Sequence, residues 1–282
     1  METRIESKQK LANGRQRAAA WLRRNGNSLM FVTALLVILL WEGVTRWGSL
    51  PAFILPSPWA VLQRFWSTLG DGTLWRHTSA TLLEIVLGLA VGVIAATITG
   101  YLLAKSPTLE SILSPYLVAS QAIPIVAIAP LLVIWFSPGL FSKVLIASLI
   151  VFFPVLVNTV VGVRAVPQDL RDLMRSLRAS RWQTLRLLEI PAALPVFLGG
   201  LRIGATLSVI GAVVGELIGA NRGLGFLIGI GRGQYDTALV FVAVFTLVVL
   251  ALSLYGIVIL LERRLLAWQR SARKGTLLDM NG

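Results

Sequence analysis

The sequence predicts an all-α, polytopic membrane bundle with six transmembrane helices and a cytoplasmic helix pair. Three observations carry this prediction. Mean hydropathy is +0.77 with only 14% of residues charged, a balance that soluble domains do not reach because their surfaces need charge. Six windows of about twenty residues are nearly charge-free, each long enough to cross roughly 30 Å of hydrocarbon as a helix. The cations are spread unevenly over the segments that join those windows. Barrel strands would alternate apolar and polar residues, and these windows do not.

Residues 1–28 hold seven Lys and Arg and read as a basic cytoplasmic tail, either poorly ordered or lying along the membrane surface. The first window, Leu29–Trp47, runs into WEGVTRWGSL without a small-x-small cleavage pattern, so it reads as a retained helix and not a cleaved signal. In LPSPWAVLQRFW the prolines set a turn. Trp59, Leu62, Phe65 and Trp66 then recur at helical spacing, which predicts an interfacial helix. The remaining windows are Thr78–Leu103, Pro115–Phe136, Val144–Val163, Leu194–Ile218 and Thr237–Leu261. Pro124 and Pro130 in the third, and Pro154 in the fourth, remove backbone donors in mid-membrane. Such prolines fit either a kinked bundle helix or a cavity lining. Pairs of small residues four apart (Gly88/Gly92, Gly200/Gly204, Gly211/Gly215, Gly215/Gly219) predict close helix approach. The membrane domain is expected over 29–265, with its core over 72–262, and a C-terminal cytoplasmic tail over 266–282.

Nineteen of the 26 Lys and Arg fall on the side of the N-terminus and six on the other, with Arg202 inside the fifth window. The positive-inside rule then places both termini in the cytoplasm. The net charge of +13 faces anionic lipid under this arrangement; nucleic acid is the weaker reading. The absence of cysteine excludes disulfides, iron–sulfur clusters and thiolate zinc, and His77, the single histidine, argues against a histidine metal site. No Ser/His/Asp set, paired carboxylates or metal cluster stands out, so no catalytic or metal site and no cofactor of the chain's own is expected. A G-x-x-x-x-G-K-[ST] phosphate loop is also missing.

The segment between the fourth and fifth windows is unlike the rest, with four arginines between positions 175 and 186. Pro167 can open a helix, and Leu170, Leu173, Met174 and Leu177 fall at i, i+3, i+4 and i+7 on one face. Arg171, Asp172, Arg175 and Arg178 surround that stripe. Ser180 and Gln183 form a capping box for a second helix, expected to end at Pro191, with Pro195 opening the next span. The apolar stripe needs a cover, either the chain's own bundle or another protein.

Here the sequence resembles a family. DLMRSLRASRWQTLRLLEIPAALP is similar to the cytoplasmic signature of binding-protein-dependent ABC importer permeases, E-A-A, three residues, Gly, nine residues, I-x-L-P. Aligned on Pro191, Asp172, Leu173 and Met174 take the E-A-A positions, Arg178 the glycine, and Leu188 and Ile190 the I and L. LPSPWAVL, AIPIVAIAPLLVIWF, GLRIGATLS and VGELIGANRGLGFLI extend the likeness over roughly residues 50–265. These phrases resemble the branch carrying nitrate, taurine, sulfonates, thiamine precursors and riboflavin.

The resemblance implies a type I ABC importer permease fold in the bacterial cytoplasmic membrane. It implies a separate ATP-binding cassette subunit that binds the ATP, a periplasmic or lipid-anchored solute-binding protein, and a second permease copy, expected as a homodimer. Asp172, Leu173, Met174, Leu177, Arg178 and Pro191 become the expected ATPase-coupling residues. Gln121, Asn158 and Glu216 are candidates for the translocation path, each with an equal reading as a hydrogen-bonding group inside the bundle. Glu84 is the other acid at membrane depth, where an ionised group costs about 2.5–3.5 kcal/mol. VGELIGANRGLGFLI, together with Trp135, Phe136, Phe152 and Phe153 as stacking surfaces, favours riboflavin or a thiamine-precursor pyrimidine over a sulfonate, taurine or nitrate. An ion-coupled secondary carrier would want an internal repeat of the helical pattern, and none is evident.

Overall fold

The computed structural model describes residues 31–48 and 51–268, and all regular structure among them is helical. The two tails expected at 1–28 and 266–282 therefore lie outside the described residues, apart from positions 266–268. The chain divides into two units, Met1–Arg64 and Phe65–Gly282.

In the first unit, α1 (31–47) is apolar on nearly every side up to Trp41, as expected of a helix in lipid, and carries the Glu42–Arg46 pair in its last turns. Its Trp41 donates from Nε1 to the Pro56 carbonyl at 3.0 Å, which ties the helix to the proline turn predicted at LPSP. Ser57 then accepts from the Ala60 amide at 3.2 Å and caps α2 (Pro58–Gly70), where Pro58 opens the first turn without wasting a donor. Trp59 and Trp66 on α2 are both largely exposed, as an interfacial helix requires.

The second unit holds α3 (Thr73–Lys105), α4 (Pro107–Ala122), α5 (Ile125–Phe136), α6 (Leu140–Arg164), α7 (Gln168–Ser176), α8 (Arg181–Thr184), a π turn (Leu185–Glu189), α9 (Ile190–Gly219), α10 (Leu224–Gly233) and α11 (Thr237–Leu265). Four continuous stretches are long and apolar enough to cross a membrane: α3, α6, Arg181–Gly219 and α11. The third window of the sequence is not one straight helix. It breaks into α4 and α5, bent by 95° at Pro124. Proline disfavours helical backbone in the residue before it, and Ile123 is accordingly extended at φ −82°, ψ 117°. Pro115 and Pro130 stay inside their helices.

Glycine seams place α6 at the centre. A Cβ at Gly88 would come within 2.5 Å of the Ala147 Cβ, and one at Gly92 within 2.8 Å of the Ser148 carbonyl. From the other side, a Cβ at Gly211 would sit 2.5 Å from the Ala147 Cα, and one at Gly200 2.5 Å from the Asn158 Cβ. Thus α3 and α9 both press on α6 at backbone distance, and Ala147 meets a glycine of each. Buried Ala96, Val151, Val155 and Leu156 fill the α3–α6 contact, while Ile85, Val209 and Ala212 carry the packing on to α11.

A second departure concerns Pro191. The sequence predicts a helix that ends there, but α8, the π turn and α9 run on as one 39-residue helix. The Ile190 amide donates to the Leu185 carbonyl five residues back, so the ladder shifts register just ahead of the proline. That shift absorbs the donor Pro191 lacks, and the chain enters the membrane unbroken.

Candidate functional site

The helix pair between α6 and α9 is the most irregular part of the second unit, and local chemistry explains its shape. Arg171 donates to the Val163 carbonyl at 2.7 Å, holding α7 against the end of α6. Arg164 forms a forked pair with Glu110, one arm 2.8 Å long, joining the start of α4 to the same place. α7 closes with two reverse bonds: Arg178 N–H to the Arg175 carbonyl at 2.9 Å, and Ala179 N–H to the Met174 carbonyl at 3.0 Å. This is a Schellman cap, which needs a left-handed residue at its pivot. Arg178 supplies it at φ 51°. The arginine at the signature's glycine position therefore adopts the backbone that glycine would, against a left-handed penalty of roughly 1–2 kcal/mol. Ser180 and Gln183 then make the reciprocal capping box read from the sequence, with bonds of 3.2 and 2.7 Å.

Five of the six expected coupling residues, Asp172, Leu173, Met174, Leu177 and Arg178, are thereby gathered on α7 and its cap. The sixth, Pro191, lies beyond the π turn and is half-buried in the base of α9. Leu173 is 52% and Leu177 68% exposed, Leu170 is also exposed, and Met174 is half-buried. Asp172 spans Arg175 at 3.0 Å in the rim. The apolar stripe is not covered by the chain's own bundle.

The path candidates have other surroundings. Gln121 is exposed one residue before the end of α4, beside the break. Asn158 donates to the Pro154 carbonyl at 2.8 Å and lies against Gly200, within the α6–α9 seam. Glu216 is 1% exposed and accepts from the Thr81 hydroxyl at 2.6 Å and the Gly225 amide at 2.5 Å. It anchors the Gly223 turn from α9, while His77 Nδ1 accepts from the Gly223 amide at 3.0 Å and its ring stacks on Phe226. Beside this cluster Lys143 donates to Glu84 at 2.5 Å, with both side chains buried. Lys143, one of the six cations counted on the side opposite the N-terminus, lies in the first turn of α6 with its side chain inside the bundle. A cavity of about 660 Å³ opens next to the pair and is also lined by Asn221 and Arg222.

Three interactions near the helix pair had no sequence signal. Glu189, 2% exposed, takes both Lys105 and the Tyr101 hydroxyl as partners, the latter at 3.1 Å. Arg202 pairs with Glu262 and lies over the Tyr255 ring, which fixes α9 to α11. The hydrogen-bonded partners are 60 or more residues apart, so no periodicity could join them. Of the predicted stacking residues, Phe152 and Phe153 meet edge to face at 5.2 Å, while Trp135 and Phe136 face outward. Among the described residues no group of His, Asp and Glu side chains is arranged to hold a metal.

This architecture matches known proteins. Residues 88–267 match the family of binding-protein-dependent transport system inner membrane components. The riboflavin transport system permease protein RibX of Chloroflexus aurantiacus is 50% identical over 240 residues, 85% of this chain and 90% of the relative. The formylaminopyrimidine transport permease protein ThiX of Halalkalibacterium halodurans is 36% identical, with 84% and 94% covered. The taurine transport system permease protein TauC of Escherichia coli is 34% identical, with 86% and 90% covered. Among solved structures, a chain of the inward-facing MetNI methionine ABC transporter superposes with a TM-score of 0.57 at 20% identity, over 74% of this chain and 98% of its own, which speaks for the fold alone. The chain belongs to the binding-protein-dependent transport system inner membrane component family and is a multi-pass ABC importer permease subunit without an ATPase site of its own.

Proposed function

We propose that this permease imports riboflavin, or a related flat heteroaromatic vitamin precursor, across a bacterial cytoplasmic membrane. The observation that carries the substrate reading is the 50% identity to a riboflavin permease, sustained over 85% of the chain. The 36% identity to a formylaminopyrimidine permease points to the same class of aromatic solute. A taurine or alkanesulfonate is the second reading, favoured by the taurine relative and by Arg222 and Lys143 at the cavity beside Glu84.

In this reading the chain pairs with a second copy, receives solute from a periplasmic or lipid-anchored binding protein, and is driven by an ATP-binding cassette subunit that holds the ATP. The driver docks on α7, where Leu173, Met174 and Leu177 enter a groove of the partner and Asp172 and Arg178 form the charged rim. The charge asymmetry supports cytoplasmic termini, with α7 on the same side. The continuous helix from Arg181 to Gly219 offers a rigid lever from that contact into the membrane.

The test is uptake by vesicles holding the complete transporter with its own binding protein. Saturable, ATP-dependent riboflavin or pyrimidine uptake is expected. Uptake of taurine or alkanesulfonate with neither vitamin would replace the first reading by the second.

A further inference from the structure

Two cavities meet at the base of α9, and their chemistry is opposite. One, of about 440 Å³, is apolar and runs between α3, the end of α6 and α9, with Ile98, Leu102, Val163, Leu194 and Phe197 in its walls. The other, of about 740 Å³, lies beneath it and is lined by Lys105, Arg171, Arg175 and Arg181. Tyr101 and Glu189 belong to both, so their hydrogen-bonded pair is the shared wall. Leu185 and Glu189 come from the π turn, which sets that wall. Functional sites often use such turns.

The basic cavity is under-neutralised. Glu189 is matched by Lys105, and exposed Asp172 meets Arg175 from the rim. Among the described residues Arg181 has no acidic partner, and Arg171 keeps a buried Nε donor without an acceptor although its other arm bonds the Val163 carbonyl. A buried guanidinium donor left open calls for an anionic acceptor. An apolar slot at helix depth, joined to a cationic pocket at the helix ends, has the shape of a lipid: chain above, phosphate below. We propose that this composite site binds an anionic phospholipid from the leaflet on the α7 side. One acyl chain lies along Ile98, Leu102 and Phe197, and the phosphate sits between Arg171 and Arg181. The site shares Arg175 with the charged rim of α7 but none of its leucines, and because the test uses the permease alone its outcome does not depend on the solute or on ATPase docking.

The experiment is native mass spectrometry of the full-length permease released from detergent, with dioleoyl-phosphatidylglycerol or dioleoyl-phosphatidylcholine titrated in. Retained adducts are expected with phosphatidylglycerol at concentrations where phosphatidylcholine gives none. Arg175→Gln/Arg181→Gln, both exposed positions, should weaken the adduct at least about ten-fold, since each cation near a lipid surface contributes measurably. Ile98→Trp, at an exposed position of the apolar wall, narrows the slot without removing a charge and should weaken it as well. Millimolar inorganic phosphate should fail to displace the lipid, because the chain slot gives it no hold. Equal binding of both lipids, an adduct indifferent to both variants, or displacement by free phosphate would each overturn the proposal. So would disulfide cross-linking of Leu102→Cys to the same position in a second copy, which would mean that the slot is a permease–permease contact.

Discussion

Two charged regions of this permease solve the same problem in opposite ways. Around the Gly223 turn, Glu84, Lys143, Glu216, Thr81 and His77 are sealed in the bundle, and their polar atoms are answered largely from within the chain. On α7, Asp172, Arg175 and Arg178 stand in solvent around leucines that none of the described residues covers. The first arrangement ties α3, α6, α9 and α10 together. The second leaves an apolar face open, and the proposed function gives that face to the ATP-binding cassette subunit. Charge inside a membrane protein thus marks internal fixation when both partners are buried, and marks an interface when it rings uncovered apolar side chains.

The largest expected effect breaks the sealed region. Lys143→Met leaves Glu84 buried without its cation and should destabilise the permease by about 3–5 kcal/mol, whereas Glu84→Met/Lys143→Met should recover most of that loss. Thermal unfolding of the purified protein measures both. A single variant as stable as its parent would mean that the pair does not hold the bundle.

A smaller effect is expected in the seam that carries the sealed region. At Gly211 an added side chain meets the Ala147 backbone, so Gly211→Val should lower stability by about 1–3 kcal/mol by overpacking. Gly256→Val on α11 is the matched control, because nothing lies within 4 Å of its added Cβ. Loss in the control equal to that at Gly211 would remove the close-approach account of the α6 seams.

The smallest effect sharpens the open region. Arg178 holds a left-handed backbone, so Arg178→Gly should raise stability by about 1 kcal/mol and leave the Schellman turn unchanged. A lower unfolding temperature would show that the guanidinium contributes more than the backbone strain removes.

Much of this contrast was legible in the sequence, and the illegible part has a physical cause. Span positions follow from uninterrupted apolar windows, and the α7 stripe and the Ser180–Gln183 box follow from local spacing. Glycines four apart announced the α6 seams, although not which helix each would face. Proline was read correctly as a disturbance, but its outcome depends on the surroundings. Pro124 breaks the third window into two helices, while Pro191 is absorbed by a π turn, a choice made by packing that no propensity records. Glu84 was visible as an acid among apolar residues, whereas Lys143 was assigned to the outer side and Glu189 gave no signal. Their pairings cross 59 to 84 residues and emerge only when the helices are assembled. Glu216, read either as a path candidate or as a hydrogen-bonding group inside the bundle, accepts from Thr81 and Gly225, partners that local spacing does not reveal.

The central claim is that α7 is open because another protein closes it. Leu173→Glu/Leu177→Glu places two charges on exposed positions and should leave the unfolding temperature of the isolated permease unchanged, since neither side chain supports the bundle. Co-purification of the ATP-binding cassette subunit with this variant in the membrane is the direct measurement. The account predicts that the ATPase is lost while the permease remains at parental level; an ATPase retained in full stoichiometry would contradict it.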